Sequence, residues 1–235
     1  MPDGQIIVTG ASRGIGAAIV SELTKRHYKV VGLSRSGDVP GGQGIACDMT
    51  DETSVREAMA RIAGEGAISG LVNNAGLHLS SPSAELDTSE YDKVMALNAT
   101  AVMVAAREVY PFLRSNGGGT IVNIGSFFDK LGVVENVAYC ASKAAVGAIT
   151  RCLAVEWAGD GIQVLNVAPG YIKTDLNRGF LAKDAVKSWM KDRIPTGGPG
   201  SPEQVASLIG AIMSENLPFL TGETVYLDGG QGMNH

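Results

Sequence analysis

Short apolar runs alternate with helical patterns along the whole chain, and this alternation constrains the fold more than any other feature. The runs are rich in β-branched residues, as buried strands are. They occupy residues 5–9, 29–33, 44–48, 70–73, 120–124, 161–168 and 220–228. Because strands that alternate with helices pair in parallel through right-handed crossovers, the order predicts an α/β fold with a parallel sheet and helices on both faces.

The composition bounds the number of domains and the class of function. The chain has 235 residues, of which 45% are hydrophobic, and no linker, repeat or low-complexity tract divides it, so we predict a single domain over residues 1–235. A net charge of −5 argues against nucleic-acid binding. Three cysteines without a CxxC motif and three scattered histidines predict neither a disulfide framework nor a metal site. Without a signal peptide or an apolar span, a cytoplasmic protein with no membrane partner is expected.

Three glycines lie between the first predicted strand and a helical pattern. Gly10, Gly14 and Gly16 let the backbone turn tightly and approach a pyrophosphate, and the following helix offers unpaired N–H groups to it. In this context the turn predicts dinucleotide binding, with a purely structural turn as the alternative. The other residues of the turn assigned to the cofactor are Ser12, Arg13 and Ile15.

The second predicted strand leads into Ser34 and Arg35, where a dinucleotide fold meets the adenosine ribose. A carboxylate at this position favours NAD, whereas an arginine accommodates the 2′-phosphate of NADP. Since Arg13 in the glycine turn would converge on the same place, the sequence predicts NADP(H). The alternatives are NAD(H) and an Arg35 that is merely solvated. Asp48 and Met49, at the end of the next predicted strand, are assigned to the adenine end of the cofactor.

Tyr139 and Lys143 are four residues apart in a helical pattern, so both side chains would lie on one face. A free tyrosine ionises near pH ~10. A neighbouring ammonium would lower the pKa of the phenol toward neutral pH, where proton transfer is most efficient. Ser126 would lie at the end of the strand that precedes this helix. The alternative is a surface pair on an ordinary amphipathic helix.

Capping residues predict the starts of three further helices. Thr50 is expected to cap a helix to about residue 63, and Ser89 a long helix that contains Asn98. Ser201 would cap a helix with Pro202 at its first position. An asparagine inside a helix competes with backbone hydrogen bonds, which invites a functional explanation for Asn98, although exposure to solvent is the ordinary one.

Several motifs occur in a defined order along the chain: Thr9-Gly10-xxx-Gly14-x-Gly16, Asn73-Asn74-Ala75-Gly76, Asn98, Ser126, Tyr139-xxx-Lys143, Pro169-Gly170, Leu220-Thr-Gly-Glu and Asp228-Gly-Gly. This ordered set resembles the short-chain dehydrogenase/reductase family, and within it the 3-oxoacyl-carrier-protein reductase-like members. The resemblance covers essentially the whole chain. It implies a doubly wound, seven-stranded sheet of Rossmann type, a nicotinamide cofactor, and assembly as a homotetramer or homodimer.

The resemblance also implies a role for each matching residue. Ser126 would hold the substrate carbonyl oxygen, and Tyr139 would exchange a proton with it. Lys143 would hold the nicotinamide ribose and lower the pKa of the tyrosine, while Asn98 would organise a water that links Lys143 to solvent. The remaining cofactor contacts would come from Asn74, Ala75, Gly76, Pro169, Gly170, Ile172 and Thr174.

An apolar, partly aromatic substrate pocket is expected beside Ser126. A lid over about residues 172–200 would close it. His78, two residues after Gly76, either borders this pocket or is a plain surface histidine. The residues assigned to the pocket are Phe127, Phe128, Val133, Tyr171 and Leu176.

These features predict an oxidoreductase that transfers a hydride between NADP(H) and a carbonyl or secondary alcohol, of the ketone reductase type. An NAD-dependent dehydrogenase of a diol, sugar or hydroxy acid is the alternative within the enzyme class. A non-catalytic dinucleotide-binding sensor on the same fold would be expected to lack a catalytic residue, yet all four positions are intact. The apolar pocket favours a ketone, an aldehyde or a β-keto acyl group as the small-molecule substrate.

Overall fold

The protein, described here from a computed structural model over residues 4–175, 177–215 and 217–234, is built on one parallel sheet of seven strands. The first strand lies inside the sheet, and the chain builds outward from it first to one side and then to the other. The predicted doubly wound Rossmann-type fold is therefore confirmed. The strands are β1 (Gln5–Thr9), β2 (Lys29–Ser34), β3 (Gln43–Ala46), β4 (Ile68–Asn73), β5 (Gly119–Ile124), β6 (Ile162–Pro169) and β7 (Thr224–Leu227), in the order β3-β2-β1-β4-β5-β6-β7.

Helices cover both faces of the sheet, which explains why the strands read as nearly continuous apolar runs. One face packs against α1 and α8 and the other against α2, α4 and α5. The helices are α1 (Gly14–Lys25), α2 (Glu52–Glu65), α3 (Thr88–Met95), α4 (Ala101–Ser115), α5 (Val137–Trp157), α6 (Arg178–Leu181), α7 (Asp184–Arg193) and α8 (Pro202–Ser214). None of the helices in the described part of the chain has the length and apolarity needed to span a bilayer.

Two of the predicted helix caps are wrong by one or two residues. Asp51, and not Thr50, caps α2, because the Thr50 hydroxyl donates a hydrogen bond of 2.7 Å to Asp48. Asp87, and not Ser89, caps α3: its carboxylate accepts the Ser89 N–H at 2.7 Å. In both cases a carboxylate occupies the position that satisfies the free N–H groups of the first turn.

The long helix predicted around Asn98 is present from Thr88 to Ser115, but its hydrogen-bond pattern changes in the middle. After α3, a π-helical turn over Ala96–Thr100 leads into α4. Such a turn adds a residue to the helical repeat and occurs often at functional sites. Asn98 lies in this turn and is fully buried, so its interpretation as an exposed residue is wrong.

Three buried asparagines form a row across neighbouring strands. Asn73 of β4 lies in register with Asn123 of β5, which lies in register with Asn166 of β6. The Asn73 amide donates to Asn123 Oδ1 at 2.9 Å, and the Asn123 amide donates to Thr150 Oγ1 at 2.9 Å. The Asn166 amide donates to Thr224 Oγ1 at 3.2 Å. The centre of an otherwise apolar sheet thus contains a polar row whose amide groups all donate hydrogen bonds.

The segment after β6 forms a small apolar cluster of its own. Ile172 pairs with Gly200 in an isolated parallel bridge, which closes the base of the segment. Its movement as a lid remains a prediction. The next helix, α8, begins as expected, with Ser201 as cap and Pro202 in the first turn. The cluster consists of Leu181, Met190 and Ile194, with Tyr171 and Val186 packed against them.

Candidate active site

The predicted site residues converge on the carboxyl edge of the sheet. They follow β1, β2, β4, β5 and β6, whose carboxyl ends lie side by side because the strands are parallel. The first strand, β1, pairs with β2 along one edge and with β4 along the other, so the order of the strands reverses next to β1. Open α/β sheets bind ligands in the crevice at such a reversal of strand order.

The glycine turn between β1 and α1 has a backbone that other residues would strain. Gly10 has φ +64° and Gly14 has φ +56°, in the left-handed region. A Cβ on Gly16 would lie 2.2 Å from the Gly10 carbonyl oxygen, so the turn and the helix are in close contact. Within the described residues Arg13 gives α1 no side-chain cap, which leaves N–H groups of its first turn for an anion. Ser12 and Arg13 are exposed, and Ile15 packs against the core.

Asn74 holds the glycine turn against the end of β4. Its amide donates to the carbonyls of Thr9 and Gly10 at 2.9 and 3.1 Å. The N–H groups of Asn74 and Ala75 both donate to Thr9 Oγ1 at 3.0 Å. Since these bonds occupy the Asn74 side chain, Ala75 and Gly76 are the parts of this segment open to a cofactor.

At the predicted adenosine end of the site, two charged residues are exposed and two uncharged residues are buried. Ser34 is buried, and its hydroxyl donates to a backbone carbonyl at 3.2 Å. The Met49 side chain lies in the apolar core, so only its backbone can face a cofactor. Arg35 and Asp48 reach solvent. Hydrogen bonds from Thr50 and, to a smaller extent, the charge of Arg35 hold the pKa of the Asp48 carboxyl below its usual value.

Ser126 and Tyr139 come together from different elements. Ser126 follows β5 and is 6% exposed, and Tyr139 lies in the first turn of α5. The interaction of the Ser126 side chain with the Tyr139 phenol acts to lower the pKa of the phenol. The Phe128 N–H also donates to Ser126 Oγ at 3.3 Å, which fixes the position of the hydroxyl. A carbonyl oxygen placed here would meet two hydroxyl groups at once.

Lys143 lies one helical turn after Tyr139 and is 5% exposed. Its Nζ donates to the Ile124 carbonyl oxygen at 2.7 Å and lies 5.7 Å from the centre of the Tyr139 ring. Burial lowers the pKa of Lys143 to about 8. The expected fall in the tyrosine pKa is not found: burial raises the pKa of Tyr139, and only its interaction with Ser126 opposes this. The Lys143 ammonium is directed at the Ile124 carbonyl oxygen, and burial, the largest influence on the phenol, disfavours the phenolate.

Asn98 joins the loop after β4 to α5. Its Oδ1 accepts the Leu77 N–H at 2.8 Å, and its Nδ2 donates to the Leu77 carbonyl at 2.9 Å and to Ser142 Oγ at 3.1 Å. Ser142 directly precedes Lys143, so these bonds set the distance between the loop and the helix that carries the lysine. The water that Asn98 is expected to organise remains a prediction.

An aromatic wall lies beside Tyr139, where the substrate pocket is predicted, and it consists of Phe127, Phe128, Tyr171 and Trp189. Phe127 and Phe128 follow Ser126 in a 3-10 turn and are buried. Ring centres lie 5.4 Å apart for Phe127 and Tyr171, and 5.9 Å apart for Phe128 and Tyr139. The Trp189 ring, which belongs to the segment predicted as a lid, lies with its centre 5.7 Å from that of Tyr171.

The segment after β6 forms the opposite side of the cofactor crevice. A Cβ on Gly170 would lie 2.8 Å from the Asp228 Cα, so only glycine fits after Pro169. Ile172 is buried, and a Thr174 methyl lies 3.7 Å from where a Cβ on Gly14 would be. This segment and the glycine turn therefore face each other across a narrow gap. Of the other pocket residues, Val133 is half-buried and Leu176 lies outside the described residues.

His78 lies at the site, which the sequence had left open. Its ring centre is 4.7 Å from that of Tyr139, and the two planes meet at 79°. Its Nε2 is hydrogen-bonded to Oδ1 of Asn136, the residue before α5. In sequence only the position of His78 shortly after Gly76 indicated this contact. Over residues 4–175, 177–215 and 217–234, no group of three His, Cys, Asp or Glu side chains could hold a metal ion.

Known proteins resemble this chain over nearly its full length. Residues 10–232 match the family model described as enoyl-(acyl carrier protein) reductase. The 3-oxoacyl-[acyl-carrier-protein] reductase FabG of Vibrio cholerae is 32% identical over 97% of this chain and 96% of its own. The D-threitol dehydrogenase of Mycolicibacterium smegmatis is also 32% identical, over 97% of this chain and 93% of its own.

A solved structure extends the similarity to the fold. The gluconate 5-dehydrogenase of Burkholderia cenocepacia, solved in complex with NADP and tartrate, superposes with a TM-score of 0.93 at 27% identity and covers 100% of this chain and 97% of its own. Sequence, fold and the order of the motifs agree. The chain belongs to the short-chain dehydrogenase/reductase family of oxidoreductases.

Proposed function

We propose that the protein transfers a hydride between NADP(H) and a carbonyl compound or secondary alcohol. The observation that carries the proposal is that Ser126 and Tyr139 come together between the aromatic wall and the cofactor crevice. Lys143, buried one turn away, completes the set. This arrangement supplies two hydroxyl groups to one oxygen atom and an ionisable group near them.

Each residue has a distinct task in the proposed reaction. A bound nicotinamide supplies or accepts the hydride. Ser126 donates a hydrogen bond to the substrate oxygen, where negative charge develops during reduction. Tyr139 gives its proton to the same oxygen in reduction and takes it back in oxidation. Lys143, whose pKa burial lowers to about 8, can exchange a proton close to neutral pH.

The preference for NADP(H) rests on two exposed arginines. The Ala11 N–H donates to the Leu33 carbonyl at 3.1 Å, which joins the glycine turn to the end of β2. Arg13 and Arg35 therefore extend from neighbouring segments into solvent, where a 2′-phosphate would meet both. The NADP bound in the gluconate 5-dehydrogenase structure supports the same choice.

Replacing Arg35 by Asp is expected to reverse the cofactor preference. Because charge-assisted hydrogen bonds contribute about 1.5 to 3 kcal/mol, the ratio of kcat/KM for NADPH over NADH should fall about tenfold or more. The measurement is initial rate against each cofactor with one saturating substrate. Arg61→Asp, at an exposed arginine of α2, is the matched control and should leave the ratio unchanged. An unchanged ratio in Arg35→Asp would remove the basis for the NADP(H) assignment.

A panel assay tests the function itself. Cofactor absorbance at 340 nm is followed with ketones, aldehydes, β-ketoacyl thioesters and alcohols, each with both cofactors in the matching redox state. Turnover of a carbonyl compound with NADPH is the expected result. If the panel gives no turnover although the cofactor binds, the proposed reaction fails and a dinucleotide-binding sensor is the better interpretation.

The names of two similar proteins favour the substrate class, though not the cofactor, of a second candidate, an NAD-dependent dehydrogenase of a diol, sugar or hydroxy acid. One is named for D-threitol and the other for gluconate. Turnover of such alcohols with NAD in the same panel, and none with NADP, would select it.

For either activity we propose a cytoplasmic protein that assembles as a homotetramer or homodimer. The assembly is proposed because the apolar side chains of Val155 and Phe219 are almost entirely exposed in the single chain.

A further inference from the structure

We propose that His78 determines specificity, selecting substrates that carry a hydroxyl on the carbon next to the reacting carbonyl or carbinol carbon. The inference deepens the proposed function and rests on it, because it takes Tyr139 as the group that meets the reacting oxygen. It would narrow the substrate class to α-hydroxy ketones and vicinal diols.

The hydrogen bonds of Asn136 define which ring nitrogen of His78 carries a proton. The Asn136 Nδ2 donates to the Val134 carbonyl at 2.7 Å, so its Oδ1 is the atom that faces His78. A carbonyl oxygen only accepts, and Nε2 of His78 must therefore be the donor. In the neutral imidazole Nδ1 is then an acceptor, and no partner for it occurs among the described residues.

His78 is not a freely moving surface side chain, because its loop is bound to the loop before α5. The Ser81 N–H donates to the Glu135 carbonyl at 2.9 Å, and the Ser80 hydroxyl donates to the same carbonyl at 3.3 Å. Together with the bond from His78 to Asn136, three hydrogen bonds join these two loops. The imidazole is thereby held against the Tyr139 ring.

The position of His78 fits a second oxygen of the substrate. The edge-to-face contact at 4.7 Å places the imidazole beside the phenol that meets the reacting oxygen. Phe128 contacts the same phenol at 5.9 Å, from the aromatic wall. One neighbour of Tyr139 is thus polar and the other apolar. A hydroxyl one carbon from the reacting carbon can donate to the Nδ1 of His78, whereas the Phe128 ring on the other side offers it no acceptor.

The test compares acetoin with butanone, which differ by a single hydroxyl at the relevant carbon. A net hydrogen bond corresponds to about a threefold to tenfold preference in kcat/KM for acetoin in the wild type. His78→Leu should lower kcat/KM for acetoin more than kcat/KM for butanone, and so abolish the preference. His78→Gln, whose amide can donate to Asn136 and still accept from the substrate, should restore part of it.

Several outcomes would overturn the inference. The wild type could show no preference for acetoin, or His78→Leu could lower both rates equally, which would make His78 only a support for Tyr139. The same comparison is made without turnover, by titrating butane-2,3-diol and butan-2-ol into the wild-type enzyme with bound reduced cofactor, which cannot oxidise an alcohol. Equal affinities would contradict a role in specificity even if the variants fail to fold. If no carbonyl compound of the panel is reduced but the diol binds more tightly, the proposed reaction fails and the inferred site remains.

Discussion

Replacing Tyr139 by Phe is expected to lower kcat about 1,000-fold, because the variant keeps the ring and loses the only proton that the residue can transfer. The phenyl ring would still pack between His78 and Phe128, so the pocket should keep its shape. Cofactor affinity should therefore change little. The measurement is kcat with the best carbonyl substrate of the panel, together with cofactor binding followed by fluorescence.

Tyr110→Phe is the matched control for this substitution. Tyr110 lies on α4, away from the carboxyl edge of the sheet, and its hydroxyl donates to Asp160 at 2.8 Å. The Tyr110→Phe substitution should reduce the stability of the fold slightly and leave kcat unchanged. Full activity in Tyr139→Phe would overthrow the assignment of the proton donor, whereas loss of cofactor binding would show that the variant had disturbed the crevice.

Replacing Lys143 by Met is expected to lower kcat about 100-fold or more and yet to stabilise the cofactor-free fold. The activity falls because the group that exchanges protons near Tyr139 is lost. The stability rises because a buried ammonium is replaced by an apolar side chain of similar length. At pH 7 we expect a gain of roughly 1 to 3 kcal/mol, the lower values applying if the lost hydrogen bond to Ile124 offsets part of it.

The stability gain should depend on pH with a defined sign. The pKa of Lys143 is about 8 in the folded chain, below its usual value of 10.5. Between these two values the unfolded chain binds the extra proton, so wild-type stability rises with pH across this window. Below this pH window Lys143 is charged in both the folded and the unfolded chain, so burying the charge lowers the free energy of unfolding by its full cost. The advantage of Lys143→Met should therefore be greatest below pH ~8 and shrink as the pH approaches 10.5.

Denaturant unfolding of both proteins at several pH values measures this effect. Lys93→Met, at an exposed lysine of α3, is the control and should show no such dependence. A variant that is less stable than the wild type at neutral pH would mean that the hydrogen bond to Ile124 outweighs the burial of charge. A gain that grows above pH 9 would contradict the sign of the shift.

Local patterns were sufficient to predict the sheet, the glycine turn and the spacing of Tyr139 and Lys143. Each of these depends on residues that are close in sequence, where periodicity and turn chemistry apply. The helix caps show the limit of such reasoning. Thr50 and Asp51 are both good capping residues, and the choice depended on Asp48, which already engages the Thr50 hydroxyl.

Contacts between distant residues could not be predicted in the same way. His78 and Asn136 are 58 positions apart, and Asn98 and Ser142 are 44 apart. Neither pairing follows from periodicity, since each depends on how the loop after β4 packs against α5. The direction of the Tyr139 pKa was missed for a related reason: spacing identified the neighbouring charge, whereas burial, which is the largest influence on this pKa, is a property of the folded chain.

The row of asparagines has a consequence for how the chain folds. Parallel strands made of apolar residues can slide past each other by two positions and still present every side chain to the same face. The row distinguishes the native alignment, because a shifted strand would separate Asn73 from Asn123. Each buried amide left unpaired would cost about 1 to 3 kcal/mol. The three asparagines thus destabilise misaligned sheets relative to the native alignment, and they do so without any ligand at the carboxyl edge.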